Sequence, residues 1–293
     1  MSMDLESLRL IVLVQQHGSL GAAARALGIS QPAASARLRA VEARHSLSLV
    51  TRSPRGSVLT DDGRAVCAWA ERVITEADHL EAGLAALGTR RRGDLKVAAS
   101  LTIAEYLMPR WLADLRRLQP EVHAGLVVVN STDVMAQVRS SRVRIGFIES
   151  PALDSDLHSR VVGHDRLAVV VPHGHPWAGR DDPIGPEELA ASALVVREPG
   201  SGTRETFDRA VGAQPLIAMQ AGSTAAILGA AANGVGPGIV SEIAARQAIS
   251  SGSLVDVAVS VDLSRTLRAV WLGSERLRSP ARDLVEIASR GKS

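Results

Sequence analysis

Residues 19–44 read SLGAAARALGISQPAASARLRAVEAR, and this stretch decides the fold of the amino-terminal unit. Ser19 is a good N-cap, and the alanine-rich helix predicted after it stops at Gly28. Ser30 caps a second helix, whose first turn holds Pro32, a position where the missing N–H costs nothing. A short helix, a glycine-containing turn and another helix form the signature of a helix-turn-helix.

The second of these helices, predicted to run to about Arg44, has two different faces. Ala34, Leu38 and Val41 have the spacing of one buried face. In a helix-turn-helix the amino-terminal part of this helix enters the major groove, where polar side chains contact base edges and phosphates. An ordinary amphipathic surface helix would show the same two faces, so the helix alone leaves both interpretations open. The predicted DNA-binding residues of this helix are Ser30, Gln31, Pro32, Ser35, Arg37 and Arg39.

A basic segment follows this helix and strengthens the DNA-binding interpretation. Residues 49–60, LVTRSPRGSVLT, are typical of two short strands around a Pro-Arg-Gly turn. Between residues 19 and 60 six arginines stand against Glu42 alone, a formal excess of +5, and such a local excess is typical of nucleic-acid binding. A basic hairpin in this place is a wing, so Arg52 and Arg55 are predicted to lie near phosphates or in the minor groove.

The residues of this stretch resemble the LysR-type transcriptional regulators. The matching pattern runs over Gly18-Ser19-Leu20, Ala22-Ala23, Leu27, Ser30-Gln31-Pro32-Ala33, Ser35, Arg39, Glu42, Arg52, Arg55, Leu59-Thr60 and Gly63. The resemblance implies a winged helix-turn-helix that binds double-stranded DNA at a roughly palindromic operator. It also implies self-association to a dimer and, from the family alone, to a tetramer.

A long helix is predicted from Asp61 to Leu87, because this segment contains no proline. Four of its apolar residues recur at a strict interval of seven, which indicates a coiled-coil pairing with another helix. Packing against its own domain is the alternative, and the resemblance favours pairing because LysR-type proteins dimerise through this helix. The predicted dimerisation residues are Val66, Val73, Leu80, Leu84 and Leu87.

From Asp94 onward, short apolar runs alternate with helical patterns, which predicts α/β units with mostly parallel sheets. This part also resembles the effector-binding half of LysR-type proteins, a two-lobed fold like that of periplasmic solute-binding proteins. The predicted strands are 95–99, 124–129, 143–148, 167–171, 194–196, 217–220 and 238–240. The resulting domains are a winged helix-turn-helix at 1–60, a linker helix and hinge at 61–92, and an effector-binding domain at 93–293. Within that last domain, lobe I takes 93–162 and 266–290, and lobe II takes 163–265.

Polar residues follow several of these predicted strands, at the edge where open α/β sheets bind ligands. Helix N-termini at the same places offer free N–H groups and a partial positive charge, which suits an anion. Each of these residues taken alone can equally be a helix cap, although relatives line their effector cleft at the positions of Ser100, Thr102 and Thr203. The sequence therefore predicts a small anionic effector. Its predicted contacts are Ser100, Leu101, Thr102, Asn130, Ser131, Thr132, Ser201, Gly202 and Thr203.

Two segments resemble enzyme or metal-binding motifs, but their residues do not have the required identity and spacing. Residues 199–203, PGSGT, lack the Gly-Lys-Ser/Thr of a phosphate-binding loop and do not fit Gly-x-Ser-x-Gly. His173 and His175 have no further His or Cys nearby to complete a metal site. We therefore expect no catalysis, no cofactor and no metal. An enzyme with an accessory DNA-binding segment is the weakest alternative.

The remaining sequence features concern location and a rival function. No membrane span is expected, because no long stretch is free of charge, and the acidic start argues against a secretory signal. The single cysteine, Cys67, excludes an internal disulfide, so a cytoplasmic protein is expected. Residues 94–293 alone would permit a solute-binding or transport protein. The fused helix-turn-helix argues against that alternative.

Overall fold

The computed structural model describes residues 3–53, 56–88, 94–273 and 276–290. The chain divides into two compact units, Met1–Ala85 and Ala86–Ser293. The elements of the first unit are α1 (Leu5–His17), α2 (Leu20–Ala26), α3 (Gln31–His45), β1 (Val50–Ser53), β2 (Gly56–Leu59) and α4 (Asp61–Gly88). Most of the predicted linker helix therefore lies within the first unit.

The caps of α2 and α3 are those that the sequence predicts. The Ser19 hydroxyl accepts a hydrogen bond from the Ala22 N–H at 3.4 Å, and the Ser30 hydroxyl accepts one from the Ala33 N–H at 3.3 Å. Between the two helices Gly28 has a φ of 74°, a left-handed conformation that glycine adopts without strain. Local sequence thus determines the turn of the helix-turn-helix.

The core of the first unit is built from small and aliphatic side chains. Ala23, Ala24 and Ala34 are buried where α2 meets its neighbours, because a methyl side chain lets two helices approach closely. Cys67 and Ala70 on α4 are buried as well, so the beginning of that helix packs with this unit. Leu10, Ile11, Val14, Leu20, Leu38, Val41, Leu49 and Leu59 complete the core.

Backbone contacts attach the wing to the helices. The Glu42 carboxylate at the end of α3 accepts a hydrogen bond from the Leu49 N–H at 2.8 Å, just before β1. The Ser57 N–H on β2 donates to the Gly18 carbonyl at 3.0 Å. A side chain at Gly63 would place its Cβ 2.1 Å from the Leu49 carbonyl oxygen, so only glycine allows α4 to start this close to the wing. Glu42 and Gly63, two residues of the LysR-like pattern, therefore serve the packing of the wing.

The second unit contains strands and helices in alternation. Its strands are β3 (Asp94–Ala99), β4 (His123–Val128), β5 (Ile145–Ile148), β6 (His158–Val171), β7 (Leu194–Arg197), β8 (Ile217–Ala221), β9 (Gly238–Ser241), β10 (Val255–Asp256) and β11 (Ser264–Trp271). Its helices are α5 (Met108–Leu118), preceded by a π-helical turn at Ile103–Leu107, α6 (Ser131–Arg139), α7 (Pro186–Ala191), α8 (Gly202–Val211), α9 (Thr224–Ala232), α10 (Glu242–Ser250) and α11 (Ala281–Arg290).

Two long strands join two lobes in this unit. The strand order is β4-β3-β5-β11-β6-β9-β7-β8, with β10 paired to β6. In the first lobe β3 pairs in parallel with β4 and β5, and in the second lobe β7 pairs in parallel with β8 and β9. Between them β6 and β11 run antiparallel to each other. The two strands contribute to separate apolar cores at their opposite ends, with Val162 and Leu267 in the core of the first lobe and Leu167 and Val169 in that of the second.

The connecting strands are the part of this fold that differs from the sequence prediction. The strand β6 begins at His158, nine residues before the predicted start, and neither β10 nor β11 was predicted. The connecting pair is antiparallel, whereas mostly parallel sheets were expected. The physical reason is that β11 reads SRTLRAVW, with Arg265 and Arg268 among its apolar residues. Because these charged residues interrupt the apolar run, the segment lacks the sequence pattern that predicts a buried strand.

The ends of three strands meet where the two lobes face each other. Ser100 follows β3, Glu149 follows β5 and Ser201 follows β7 by a short loop. The Ser100 N–H donates to the Phe147 carbonyl at 2.9 Å, which holds the end of β3 against β5. The predicted effector residues therefore lie at the sheet edge where this fold places ligands.

Candidate functional site

The exposed face of α3 carries the predicted base-reading residues. Gln31, Pro32 and Arg39 are exposed and Ser35 is half-buried. The opposite face, with Ala34, Leu38 and Val41, is buried as predicted. Ser30 is exposed, and its hydroxyl is used as the helix cap. Polar and basic side chains thus project from the amino-terminal half of a helix whose other face is fixed in the core.

Two arginines near the middle of α3 differ in their surroundings. The Arg37 guanidinium lies 3.1 Å from the Asp4 carboxylate and 2.7 Å from the Glu6 carboxylate, both at the start of α1. Hydrogen bonds from Ser7 and the charge of Arg37 keep the pKa of Asp4 below its ordinary value. Arg39 is exposed and has no ion pair within the described part of the chain. Arg37 therefore connects two helices, while Arg39 is available to a partner.

The basic surface extends beyond α3. Arg25 on α2 and Arg44 on α3 are both exposed. The backbone of Arg52 lies in β1, but its side chain and the whole of Arg55 lie outside the described residues. The predicted phosphate contacts of the wing therefore remain predictions.

An uncovered apolar strip runs along α4. Val66 is half-buried against the core of the first unit, whereas the side chains of Val73 and Leu80 are 49% and 64% exposed. Trp69 is 62% exposed and lines a groove of about 440 Å³ together with Val73 and core residues. The side chains of Leu84 and Leu87 lie outside the described residues. Exposed large apolar side chains at regular helical spacing are typical of a surface that another helix covers.

The predicted effector residues differ in how deeply they lie. Ser100, Thr102, Ser131, Ser201 and Thr203 are all buried between the lobes or beside them. Gly202 is buried too, Leu101 and Asn130 are half-buried, and the side chain of Thr132 is exposed. The Asn130 side chain caps α6 by accepting a hydrogen bond from the Asp133 N–H at 2.9 Å. The Asn130 side chain therefore acts as a helix cap, which is one of the two roles that the sequence allows for it.

A buried guanidinium connects the two lobes at this point. Arg265 on β11 donates to the Thr203 hydroxyl at 2.9 Å and to the Thr102 hydroxyl at 3.3 Å. It also lies 2.6 Å from Asp165 on β6 and 3.3 Å from Glu149 after β5. The structure thereby brings Thr102 and Thr203, predicted separately, onto one side chain.

Sequence reasoning missed the three charged members of this cluster. Asp165 and Arg265 lie on stretches where no strand was predicted, and an isolated charged residue is usually exposed. Glu149 offered a usable signal, because it directly follows a predicted strand, as Ser100 and Asn130 do. That position at a strand end would have placed Glu149 among the candidates.

The two lobes touch through backbone beside this cluster. A Cβ at Gly202 would lie 2.6 Å from the Glu149 carbonyl carbon, so the start of α8 packs directly on the chain after β5. The Thr132 N–H donates to the Gly200 carbonyl at 3.2 Å. The Ser150 hydroxyl donates to the Glu205 carboxylate across the same boundary. The interlobe contact therefore contains the very residues predicted to hold the effector.

Three buried polar atoms at this contact have no hydrogen-bond partner in the described part of the chain. They are the hydroxyl oxygens of Ser100 and Ser201 and the Oε2 atom of Glu149. Buried polar groups in proteins almost always have partners, and an unpaired one costs about 1–3 kcal/mol. Groups of this kind call for a partner from outside the chain, such as an ordered water or a bound molecule.

Two further arginines close to this contact are already paired. Arg197 is buried and lies 2.8 Å from the Glu198 carboxylate, and Arg204 lies 2.7 Å from the Asp208 carboxylate. Both charges are therefore paired within the protein, although the Nη1 atom of Arg204 is buried without a hydrogen-bond partner in the described part of the chain. Among the residues that the structure describes, no group of three or more His, Cys, Asp and Glu could hold a metal, and no helix is long and apolar enough to cross a membrane.

Comparison with known proteins agrees with both units. The family model "Bacterial regulatory helix-turn-helix protein, lysR family" matches residues 5–64, and the model "LysR substrate binding domain" matches residues 88–292. The HTH-type transcriptional regulator Rv2282c of Mycobacterium tuberculosis, itself uncharacterised, is 39% identical over 96% of this chain and 95% of its own length. The HTH-type transcriptional regulator CysL of Bacillus subtilis is 31% identical over 82% of this chain and 81% of its own length.

A solved structure supports the fold of the second unit. The regulatory domain of CcmR from Synechocystis PCC6803, solved in complex with 2-PG, has a TM-score of 0.61 at 22% identity, covering 68% of this chain and 97% of that one. The matches to the two family models are independent of each other and lie in the expected order. The chain therefore belongs to the LysR family of transcriptional regulators, with an amino-terminal helix-turn-helix DNA-binding domain and a carboxyl-terminal effector-binding domain.

Proposed function

We propose that this regulator binds its operator through the exposed face of α3 and responds to a small anionic metabolite held between the lobes of its second unit. The observation that carries the effector part is the pair of buried, unpartnered hydroxyls at Ser100 and Ser201. The amino-terminal end of α8 adds a partial positive charge beside Ser201. An anion with hydrogen-bond-accepting oxygens satisfies both features at once.

On the DNA side, Gln31, Ser35 and Arg39 are the proposed contacts to bases and phosphates, and Ser30 and Pro32 set the start of the helix that carries them. Arg52 and Arg55 of the wing are the proposed phosphate contacts. Arg37 is different, because its charge is balanced by Asp4 and Glu6. A protein that works on the chromosome in this way acts in the cytoplasm.

For assembly, the proposed seam is the strip of α4 that includes Val73 and Leu80, extended to Leu84 and Leu87. A two-fold dimer places two recognition helices about one helical turn of DNA apart, or a multiple of it, so a roughly palindromic operator is expected. Pairing of two such dimers would give the tetramer. The functional segments then follow the proposed division into 1–60, 61–92 and 93–293.

The effector site is tested by thermal-shift measurements on the full-length protein with carboxylates, phosphate and sulfate. We compare the wild type with Ser201→Ala, because removing an unpartnered hydroxyl leaves the ligand-free structure undisturbed. The variant should keep the ligand-free melting temperature and lose about 1–3 kcal/mol of binding, roughly ten- to a hundred-fold in affinity. Anisotropy with the DNA upstream of its own gene should remain at wild-type affinity without effector. A ligand that Ser201→Ala binds as tightly as the wild type does would remove Ser201 from the site.

A further inference from the structure

Only one of the two carboxylate oxygens of Glu149 is hydrogen-bonded within the described part of the chain. Its side chain is 1% exposed, and its Oε1 accepts a hydrogen bond from the Thr102 hydroxyl at 3.1 Å. The Oε2 atom is buried and has no donor anywhere in the described chain. Leaving a buried carboxylate oxygen without a hydrogen-bond donor costs more free energy than leaving a neutral acceptor unpaired, because the carboxylate carries charge.

The charges around Glu149 do not balance. Within the described part of the chain, Arg265 is the one cation paired with Glu149 and Asp165, and both carboxylates are 1% exposed, so this cluster has one more negative than positive charge. Burying an unbalanced charge is costly, and proteins avoid it unless a partner arrives. A cation from outside the chain would restore the balance.

Arg265 is already committed to Asp165. Its Nε and Nη2 donate to Asp165 Oδ2 at 2.9 and 2.6 Å, and the Ser241 hydroxyl donates to the same oxygen at 2.8 Å. Its Nη1 and Nη2 donate to the Thr203 and Thr102 hydroxyls. The Nη1 atom also lies 3.3 Å from Glu149 Oε1, so the donors of Arg265 are engaged and Arg265 is a poor receptor for an incoming anion. The atom of the cluster that still lacks a partner is Glu149 Oε2.

Glu149 lies directly beside the proposed anion site. The backbone of Glu149 and Ser150 contacts Gly202, the residue between Ser201 and Thr203 at the start of α8. A negative, donor-seeking group and a positive helix end with spare hydroxyls therefore meet at one interlobe contact. A ligand that carries opposite charges a few bonds apart would satisfy both groups.

We propose that the effector is an amino acid or a related small amino-carboxylate, whose protonated amine donates to Glu149 Oε2 while its carboxylate is held by Ser100, Ser201 and the end of α8. This inference rests on the proposed effector site: the carboxylate is the anionic group proposed there, and the added amine makes the ligand a zwitterion rather than a simple anion. The ammonium group supplies the positive charge that the Glu149–Asp165–Arg265 cluster lacks.

The test uses matched pairs of ligands on the full-length protein. Each proteinogenic L-amino acid except proline, which has no such counterpart, is compared in a thermal-shift assay with the 2-hydroxy acid that has the same side chain, so that only the amine is changed. At least one amino acid should raise the melting temperature, and its hydroxy acid should bind at least tenfold more weakly. Equal binding of the two members, or no shift with any amino acid, would overturn the proposal.

Two matched variants separate recognition from structure. Glu149→Gln and Asp165→Asn each remove one negative charge from the same cluster. Glu149→Gln should abolish the preference for the amine without lowering the ligand-free melting temperature, since it removes the unbalanced charge. Asp165→Asn should lower that temperature, because it breaks the bonds to Arg265 and Ser241. If Glu149→Gln destabilises the protein as much as Asp165→Asn does, Glu149 is a structural partner of Arg265 and the proposal fails.

The failure of this inference is distinguishable from failure of the proposed function. If a hydroxy acid or simple carboxylate binds as well as its amino acid and Ser201→Ala weakens both, the anion site stands and the amine contact to Glu149 is refuted. If an amino acid binds with the expected preference but Ser201→Ala has no effect, the Glu149 contact stands and the position of the carboxylate is wrong.

Discussion

The helix-turn-helix unit and the effector unit differ in where they place charged side chains. In the first, the buried side chains are almost all apolar, and Arg25, Arg39 and Arg44 project outward. In the second, Arg265 and two carboxylates lie buried where the lobes meet. Excluding charge from the core of the first unit leaves its arginines on the surface that we propose binds DNA, whereas the second unit buries charge at the interlobe contact where we propose the effector binds.

The largest expected effect on stability is at Arg265. Arg265→Met leaves Glu149 and Asp165 buried without a cation, and removing one partner of a buried pair costs about 3–5 kcal/mol. Thermal unfolding should show a melting temperature lower by roughly 2–4 °C per kcal/mol for a unit of this size. Arg39→Met, an exposed arginine of the first unit, is the control and should leave the melting temperature unchanged. Similar stability losses for the two variants would contradict the contrast between the units.

The second prediction concerns the apolar strip of α4, which is the exception to the charged surface of the first unit. Leu80→Asp would bury a charge between two paired helices and should dissociate the dimer, as should Val73→Asp. Thr75→Asp introduces the same charge at an exposed position outside the heptad pattern of Val73 and Leu80, and it should leave the dimer intact. Sedimentation velocity at micromolar concentration measures the outcome. A dimer that survives both seam variants would show that assembly uses another surface.

The third prediction separates the two arginines of α3. Arg39→Ala should weaken DNA binding and reduce the slope of log K against log salt by about one unit, the value for one phosphate contact. Arg37→Ala should change that slope less, because Arg37 is bound by Asp4 and Glu6, and it should lower stability slightly instead. Anisotropy titrations at several salt concentrations give both slopes. Arg52→Ala and Arg55→Ala should behave like Arg39→Ala, and an unchanged slope in them would remove the wing from the interface.

The smallest expected effect is on acid stability. Burial alone would raise the pKa of Asp283 on α11, but hydrogen bonds from Ser279 and Arg282 outweigh it and hold the pKa below the ordinary value of 3.8. Its bonds therefore stabilise the fold fully above about pH 3.8 and are lost as the pH falls further toward the lowered pKa. Asp283→Asn should flatten the fall in melting temperature below pH 4.

The same measurement compares the two units. Asp4 also has a lowered pKa, caused by hydrogen bonds from Ser7, but its side chain is half exposed, so solvent screens the interaction. Asp4→Asn should therefore change the acid dependence less than Asp283→Asn does. A larger effect at Asp4 would show that the surface pair with Arg37 matters more than its exposure indicates.

Local sequence was enough for the amino-terminal unit. Ser19, Ser30 and Gly28 act within three or four residues of themselves, so the ends of α2 and α3 could be predicted from their caps and turn. The spacing of Ala34, Leu38 and Val41 likewise predicts the buried face, because helical periodicity depends only on neighbours along the chain. The exposed side, which we propose faces the DNA, then follows by elimination.

Strand ends in the effector unit were predicted by the same local logic, which placed Ser100, Thr102 and Thr203 among the candidates. Their partners were not predictable in this way. Arg265 is separated from Asp165 by 100 residues and from Thr102 by 163. Arg265 and Asp165 meet through the pairing of β6 with β11, and the end of β3 comes close because β3 pairs with β5, which pairs with β11.

By itself the sequence determined the family, the helix-turn-helix, the exposed face of its second helix and the chemical nature of the groups at the strand ends. Only the tertiary structure decided that Arg37 is an internal partner while Arg39 is exposed, and that Glu149 has a free, buried oxygen beside the start of α8. The physical reason is the distance along the chain over which each kind of interaction acts. Caps and helical faces depend on residues within one or two turns, whereas the balance of buried charge depends on contacts between segments that the chain brings together only when both lobes have formed.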